Sequence, residues 1–525
     1  MKGSTPIHPF LLAAFPVLFL LAENLGETEL PEAVPPLVLS VTLTGIAFAI
    51  AARILRDSRR AALLVSLAVA TILLFGHAEN LLATFRLTEG KVLAGWLVMS
   101  GILSLLIMRT RRDLSGPTVA LNVLAAVLTL NSVASIALHA IRTTTTPLPG
   151  SAAASPSAVP PSSEPVPDAD PAMRDIYYIV VEDYGSQRTV RDTLGLADDG
   201  FFDWLDERGF EVLNDSRSNY GRTPLSLASS LNMTYLDAMA ARYGPDWIDY
   251  DPIVDMVRAP AVAEFLQARG YTFVQLGSQY RLTATSRVAD VNPVYVDTSD
   301  FAGVFYDTTI LPAIVHRIGL DDGRDGRRKN YDAVVWQLDQ VRRVVDLPGP
   351  KFVFIHIYLP HHPYVVDADG RYVPRQVAAA RTLAEQQAGQ WGFVGRELER
   401  IIDPLLAGPE AEDPIIVVTT DEGPNPNGMA TVGGDLAWGA ATDAQLDTKF
   451  AIFAGYYLPG VDASGLYPTM SSVNTFRLVL DLYFDADLPL LPDRAWIHRD
   501  KHHPFDLTDV TDRLDSFAGD AGGVP

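Results

Sequence analysis

The chain contains no cysteine in 525 residues. That absence excludes disulfides, thiolate metal sites and cysteine nucleophiles together. Lysine is scarce, with 6 against 35 arginines, a bias of a GC-rich genome that carries no mechanism. Positive charge is missing from most of the polypeptide. Residues 1–146 hold 11 Lys/Arg and 8 Asp/Glu, and the remainder holds 30 and 55. The formal net charge of −22 therefore comes from the later part. That part has no basic stripe, which excludes nucleic acid as a partner. It should stay soluble and be mildly repelled by anionic headgroups, so an anionic substrate needs a local cation. No internal repeat is visible, and the length exceeds what one hydrophobic core organises.

What is present first is apolar. Stretches run over Ile7–Ala22, Pro36–Ala52, Ala61–Phe75, Val92–Met108 and Thr118–Ile141, each approaching the ~20 residues that cross a bilayer. The second loop carries Arg53, Arg56, Arg59 and Arg60, and the fourth carries Arg109, Arg111 and Arg112. The first is acidic, with Glu23, Glu27, Glu29 and Glu32. The positive-inside rule makes loops two and four cytoplasmic. About five spans then put the N-terminus inside and everything after Ile141 outside, as an integral protein of the cytoplasmic membrane. A cleavable signal peptide is disfavoured, because the only early basic residue is Lys2 and no clear small-residue cleavage site follows. His77, Glu79 and Asn80 at the end of span three read as interfacial residues or lipid-headgroup contacts. Asn122 and Asn131 in span five read as interhelical hydrogen-bonders. With no repeat and no obvious buried charge pair, a transport path has little support.

Residues 143–173 are rich in Thr, Ala, Ser and Pro and read as an extended tether between the membrane helices (1–142) and a soluble domain (174–515), with a disordered tail at 516–525. From Asp175 the pattern alternates strand and helix. Strands are expected at Ile176–Val181, Thr272–Leu276, Phe352–Ile357, Ile415–Thr420 and Phe450–Ala454. Helices are expected at Phe201–Arg208, Pro224–Leu231, Pro260–Arg269, Val377–Leu406 and Val473–Tyr483. The layout is a doubly wound α/β domain.

Four segments carry chemistry. The apolar run Ile176–Val181 ends in Glu182-Asp183-Tyr-Gly185, and Ile415–Thr420 ends in Asp421-Glu422-Gly423. Both place carboxylates where open α/β sheets hold ligands. Each is also readable as a turn or cap, but carboxylates gathered from two distant strands favour a shared divalent cation. Thr223, before Pro224, is either a helix N-cap or a nucleophile set where the helix terminus stabilises an anion. A metal on that hydroxyl would lower its pKa. His356, His361 and His362 fall within Phe352-Val-Phe-Ile-His-Ile-Tyr-Leu-Pro-His-His-Pro-Tyr364. A structural role competes with substrate contact or leaving-group protonation.

In order and spacing, Glu182, the Asn-Tyr-x-x-Thr223 element, the His356-x-x-x-Pro-His361 pattern and the Asp421-x-Gly loop resemble the sulfatase-like branch of the alkaline phosphatase superfamily. The closest likeness is to membrane-anchored proteins akin to lipoteichoic acid synthases and phosphoethanolamine transferases. It covers most of 175–515, including Tyr456-Tyr-Leu-Pro-Gly460 and Leu488-Pro-Leu-Leu-Pro-Asp-Arg494, which are motifs of fold. The resemblance implies an alkaline-phosphatase-like sheet, Glu182 and Asp421 as metal ligands, and Thr223 as a metal-touching nucleophile that carries a covalent phospho-intermediate. It also implies His356 and His361 on the substrate side.

The family position after Asp421 is usually histidine, and here it is Glu422. Glu182, Asp421 and Glu422 would make an all-oxygen set suited to Mn²⁺ or Mg²⁺, with Ca²⁺ possible. One extra charge at ~4 Å and an effective dielectric of ~20 is worth roughly 4 kcal/mol against an anionic substrate. Lys449 and Arg222 are the candidates to offset it at the substrate site, although a surface position for Lys449 is an equal reading. The leading expectation is a metal-dependent phosphoester hydrolase or headgroup transferase acting on a membrane lipid or envelope glycan outside the cytoplasm. The alternatives are a catalytically degenerate envelope scaffold or sensor, and a sulfatase acting on sulfate esters. The last is disfavoured because Thr223 stands where a sulfatase needs Cys or Ser followed by Pro and Arg.

Overall fold

The computed structural model describes residues 5–24, 30–83, 89–145, 173–196, 200–295, 300–318, 326–409, 413–426, 431–432 and 435–514. The body of the expected tether, 146–172, and the tail 516–525 lie outside these residues. The chain forms two compact units: 1–150 with 296–325, and 151–295 with 326–525.

The first unit is helical: α1 (His8–Glu23), α2 (Leu30–Leu55), α3 (Ser58–Leu73), α4 (Phe75–Ala83), α5 (Glu89–Arg109) and α6 (Ser115–Thr145). Three segments, Leu30–Leu55, Gly90–Arg109 and Ser115–Leu138, are long and apolar enough to cross a membrane. The other two expected spans, α1 and α3, have 16 residues each, short of the ~20 that a crossing needs. Asn122 on α6 accepts from the backbone N–H of Ile7 and His8 at 3.0 and 2.9 Å, and so satisfies the start of α1. Asn131 is exposed. Arg59 pairs with Asp113 at 3.3 Å, and Arg60 donates to the Thr110 carbonyl at 3.0 Å. The two arginine-bearing turns are thereby joined at one end of the bundle.

The opposite end holds something the sequence did not announce. Helices Asp300–Asp307 and Leu311–Arg317 interrupt the soluble domain's sequence and pack in this unit. Ile310 N donates to Ile72 O at 2.8 Å, and Gly76 N donates to Thr308 O at 2.9 Å. A Cβ on Gly76 would stand 2.8 Å from that same Thr308 oxygen, so the close approach needs glycine.

The second unit is built on a mixed six-stranded sheet. Its strands are β1 (Ile176–Val181), β2 (Glu211–Leu213), β3 (Thr272–Leu276), β4 (Lys351–Ile357), β5 (Ile415–Thr420) and β8 (Ala454–Tyr457), in the order β2-β8-β5-β1-β4-β3. The short pair β6 (Thr431–Val432) and β7 (Asp435–Leu436) stands apart. β1, β3, β4 and β5 are parallel, β8 is antiparallel to β5, and β2 is antiparallel to β8. In β1, Ile176, Tyr178 and Val180 enter one core with Leu225, Leu227 and Phe476. Tyr177, Ile179 and Val181 enter another with Phe201, Leu338 and Leu398. Burial on both faces explains why the strand reads as an unbroken apolar run.

Several expected boundaries move. The long helix expected over Val377–Leu406 is two, Arg375–Ala380 and Leu383–Leu405, split where Thr382 and Glu385 form a capping box. The strand expected at Phe450–Ala454 is preceded by a helix, Asp443–Phe450, opened by a Thr442–Gln445 capping box, and β8 starts only at Ala454. The helix Gly326–Val344 and β2 carry no expectation from sequence.

Candidate active site

Strand register assembles the site. β1 lies between β4 and β5. Val180 pairs with His356, and Val181 pairs with Thr420. Glu182 and Asp421 are the next residues of neighbouring parallel strands, so they emerge side by side. The Glu182 N–H is shared by the Ile357 and Leu359 carbonyls at 3.0 Å each. Asp183 then turns into the left-handed region at φ 56°, an uncommon conformation for a residue with a side chain, found where surrounding structure enforces it.

Glu182, His356 and Asp421 are buried, and each offers a ligand atom within 4.8 Å of the others. His356 Nε2 lies 2.8 Å from Glu182 Oε2, and its Nδ1 lies 2.9 Å from Thr283 Oγ1. The Asp183 N–H donates to Asp421 Oδ1 at 3.3 Å. Among the described residues Asp421 Oδ2 is buried without a hydrogen-bond partner, an arrangement that costs free energy until a cation or proton arrives.

Thr223 is not the N-cap of its helix. Arg222 takes that position with extended backbone, and α8 (Thr223–Asn232) begins with Thr223 in its first turn. The hydroxyl is free of capping duty and donates to Glu182 Oε1 at 2.7 Å. The preceding motif residues hold it there. Asn219 donates to Ser471 Oγ and the Arg494 carbonyl, and accepts from Ser472 Oγ and Val473 N. Tyr220 stacks on Trp496 at 5.4 Å. A Cβ on Gly221 would meet Trp438 at 2.5 Å.

Glu422 is not in the group of converging ligand atoms. Its Oε1 accepts from Lys449 Nζ at 2.9 Å, and the same nitrogen donates to Asp183 Oδ1 at 3.0 Å. Lys449 is buried, not a surface lysine, and lies in the last turn of the helix Asp443–Phe450. Gly423 passes so close that a Cβ would stand 2.3 Å from Thr448 O. His361 Nε2 lies 3.9 Å from Asp183 Oδ2, and His362 is exposed. Arg222 donates to Tyr250 Oη at 3.1 Å.

The electrostatics follow from burial. Desolvation, then the neighbouring Asp183 charge, pushes Glu182 up to about 8. Desolvation and the Glu182 charge raise Asp421 well above the carboxylate range. Burial pulls His356 down to about 4 against the opposing pull of Asp421, which leaves a neutral imidazole. Burial raises Glu422 as well, against the pull of Lys449. For Lys449, burial pulls down, but Asp183 and Glu422 together outweigh it and hold the ammonium above the usual lysine range. Two crowded carboxylates, a neutral imidazole and an unpartnered Asp421 oxygen fit a divalent cation.

Thr283, which orients His356, has no signal in the sequence. Asp183 was visible only as the neighbour of Glu182. The sequence set His356 at the end of a strand and His361 and His362 in the loop after it; the register opposite Val180 adds that His356 meets Glu182.

No family model matches the chain, and no curated protein matches it. Among solved structures, the integral membrane lipooligosaccharide phosphoethanolamine transferase A from Neisseria meningitidis is similar at 15% identity, covering 91% of this chain and 95% of that one, with a TM-score of 0.40. The C-terminal periplasmic domain of EcEptC from Escherichia coli is similar at 14% identity, over 67% of this chain and 98% of its own, with a TM-score of 0.40. A putative sulfatase, yidJ, from Bacteroides fragilis is similar at 10% identity, over 62% and 77%, with a TM-score of 0.36. The structural neighbours are thus phosphoethanolamine transferases and sulfatases.

Proposed function

We propose that the protein is a membrane-anchored, metal-dependent enzyme that transfers or hydrolyses phosphate esters at the outer face of the cytoplasmic membrane, with Thr223 as nucleophile. The observation that carries this reading is the Thr223 hydroxyl bonded to Glu182 at 2.7 Å inside the buried Glu182–His356–Asp421 trio. Those three residues would hold the metal. A bound divalent cation supplies Lewis acidity at the phosphoryl oxygens and lowers the pKa of the neighbouring hydroxyl. One imidazole nitrogen beside two carboxylates suits Zn²⁺ or Mn²⁺ better than the all-oxygen set with Glu422.

The chain's own residues then divide the work. Glu182 accepts the proton of Thr223, to which it is already hydrogen-bonded. Thr223 Oγ1 attacks phosphorus, and the first turn of α8 lies where developing negative charge is stabilised. His361, with Asp183 Oδ2 3.9 Å from its Nε2, donates to the departing alcohol in its protonated form, which burial disfavours and the Asp183 charge favours. His356, whose ligand atom lies within 4.8 Å of those of Glu182 and Asp421, is assigned to the metal instead of to proton transfer. Water or an acceptor hydroxyl of a lipid or glycan releases the phosphoryl group from Thr223, and the helical unit anchors the enzyme in the membrane.

The degenerate-scaffold alternative comes from Glu422 standing where the family usually has histidine; the pairing of Glu422 with Lys449 at 2.9 Å supports a metal site that does not use it. The test is turnover of a nitrophenyl phosphodiester by the full-length protein in detergent. Activity should vanish on chelation and return with Zn²⁺ or Mn²⁺. Protein that binds neither ion and turns nothing over contradicts the proposal.

A further inference from the structure

A cavity of about 220 Å³ opens in the second unit, and the proposed reaction uses none of the side chains that line it. Its floor is aromatic. The Tyr184 ring has those of Phe202 and Trp391 6.2 and 6.1 Å away, centre to centre, and all three residues are buried. One π-helical turn, Thr189–Thr193, adds Val190 and Arg191 to the wall. Such wide turns are rare and frequent at functional sites. Arg396, from the helix Leu383–Leu405, completes the lining.

The two guanidiniums stand in the part of the chain where acidic residues outnumber basic ones by 55 to 30. Arg191 is paired with Asp192 at 2.7 Å. Arg396 is half-buried and donates to the Ala368 carbonyl. Among the described residues no carboxylate pairs with it. A guanidinium carries five N–H donors in a planar fork, so Arg396 keeps donors for the two oxygens of a carboxylate. The volume falls below the roughly 300–1,000 Å³ of drug-sized sites. That limits a ligand to a single ring or a short branched chain beside its charged end.

The cavity is built onto the catalytic turn without sharing a side chain with the trio, Thr223 or His361. Trp391 Nε1 donates to the Tyr184 carbonyl at 3.0 Å, and the Tyr184 N–H donates to Thr420 Oγ1 at 3.2 Å. One peptide segment thus joins the cavity wall to the strand ends that carry Glu182 and Asp421. We infer that the cavity is a second ligand site, for a small organic carboxylate whose apolar body lies on the Tyr184, Phe202 and Trp391 rings and whose charge meets Arg396. The inference stands apart from the proposed reaction, because neither the trio nor Thr223 contributes to it.

The test is equilibrium dialysis of phenylacetate against the full-length protein in detergent, stripped of metal so that the trio offers the carboxylate no cation. Phenylacetate should saturate at about one per chain. Phenethylamine, a similar body with a cationic end, should bind at least roughly 10-fold more weakly. Arg396→Gln should weaken phenylacetate by roughly 10-fold or more, as loss of a charge-assisted pair does. Ala388→Trp, which places a large ring at the mouth from an exposed position, should abolish binding. Phenylacetate that fails to saturate by about 10 mM overturns the inference, as does equal binding to wild type and Ala388→Trp. Should either variant fail to fold, the two ligands on wild type decide: preference for phenylacetate supports the inference, and equal binding of both overturns it.

Discussion

Thr223 Oγ1 donates to Glu182 Oε1 at 2.7 Å, although 41 residues separate the two along the chain. β1 delivers the carboxylate and the first turn of α8 delivers the hydroxyl. Neither element alone implies the contact. The pairing makes Thr223 part of the buried acid cluster and places its proton beside an acceptor.

Metal binding should release protons. Metal-free Glu182, raised to about 8 from 4.5 by burial and by Asp183, is largely protonated at pH 7, and a cation must displace that proton. Calorimetric titration in buffers of different ionisation enthalpy should show proton release at pH 7 and weaker affinity toward pH 6. The stability linkage has a definite sign. A carboxyl whose folded pKa is raised stabilises the fold fully below the unfolded value and loses that contribution as pH rises through the folded value. Metal-free protein should therefore lose thermal stability between about pH 4.5 and 8. Metal-loaded protein should lose less.

Thr283 fixes the ring of His356 through Nδ1 at 2.9 Å. Replacing it with valine should weaken metal affinity by roughly 10–100-fold, as loss of a ligand's outer hydrogen bond does elsewhere. Thr283→Ser should retain most of the affinity. Equal losses in both variants would mean that the hydroxyl does not orient the ligand.

Gly423→Ala would put a Cβ 2.3 Å from Thr448 O and 2.9 Å from the Ala451 and Lys449 carbonyls. Backbone cannot yield as a flexible side-chain end does. The expected cost is ~2 kcal/mol or more, read as a lowered midpoint in denaturant unfolding. An unchanged midpoint would show that the loop after Asp421 is free to shift.

The absence of cysteine makes topology directly measurable. In intact cells a single cysteine at Arg111 should resist an impermeant maleimide, and one at Asp369, an exposed position of the soluble unit, should react. The reverse pattern would invert the orientation inferred from the arginine-rich turns.

The sequence made the strands and the carboxylates that end them legible for a physical reason. β1 and β5 are buried on both faces, so they read as apolar runs, and their abrupt endings mark Glu182 and Asp421. What it concealed depends on contacts between distant segments. Glu422 follows Asp421, and adjacency suggested a shared role; the turn at Gly423 instead sends its carboxylate to Lys449. His356 resembled a substrate residue until its register opposite Val180 set it against Glu182. The Thr223-Pro224 pair matched a cap and proline at the first helical position, but the helix starts one residue earlier and releases the hydroxyl. The insertion at 300–318 escaped notice because its apolar residues pack within the helical unit and follow no strand–helix alternation.

The central claim is that Thr223 becomes covalently phosphorylated. Full-length protein, metal-loaded and mixed with a phosphodiester bearing a good leaving group, should be quenched in acid within the first turnover and digested for mass spectrometry. The expected result is a phosphodiester adduct on Thr223 in the wild type, carrying the substrate's remaining ester group, with none in Thr223→Ala and turnover in that variant reduced by roughly 10³-fold or more. Turnover that survives Thr223→Ala, with no adduct in either protein, would contradict the account.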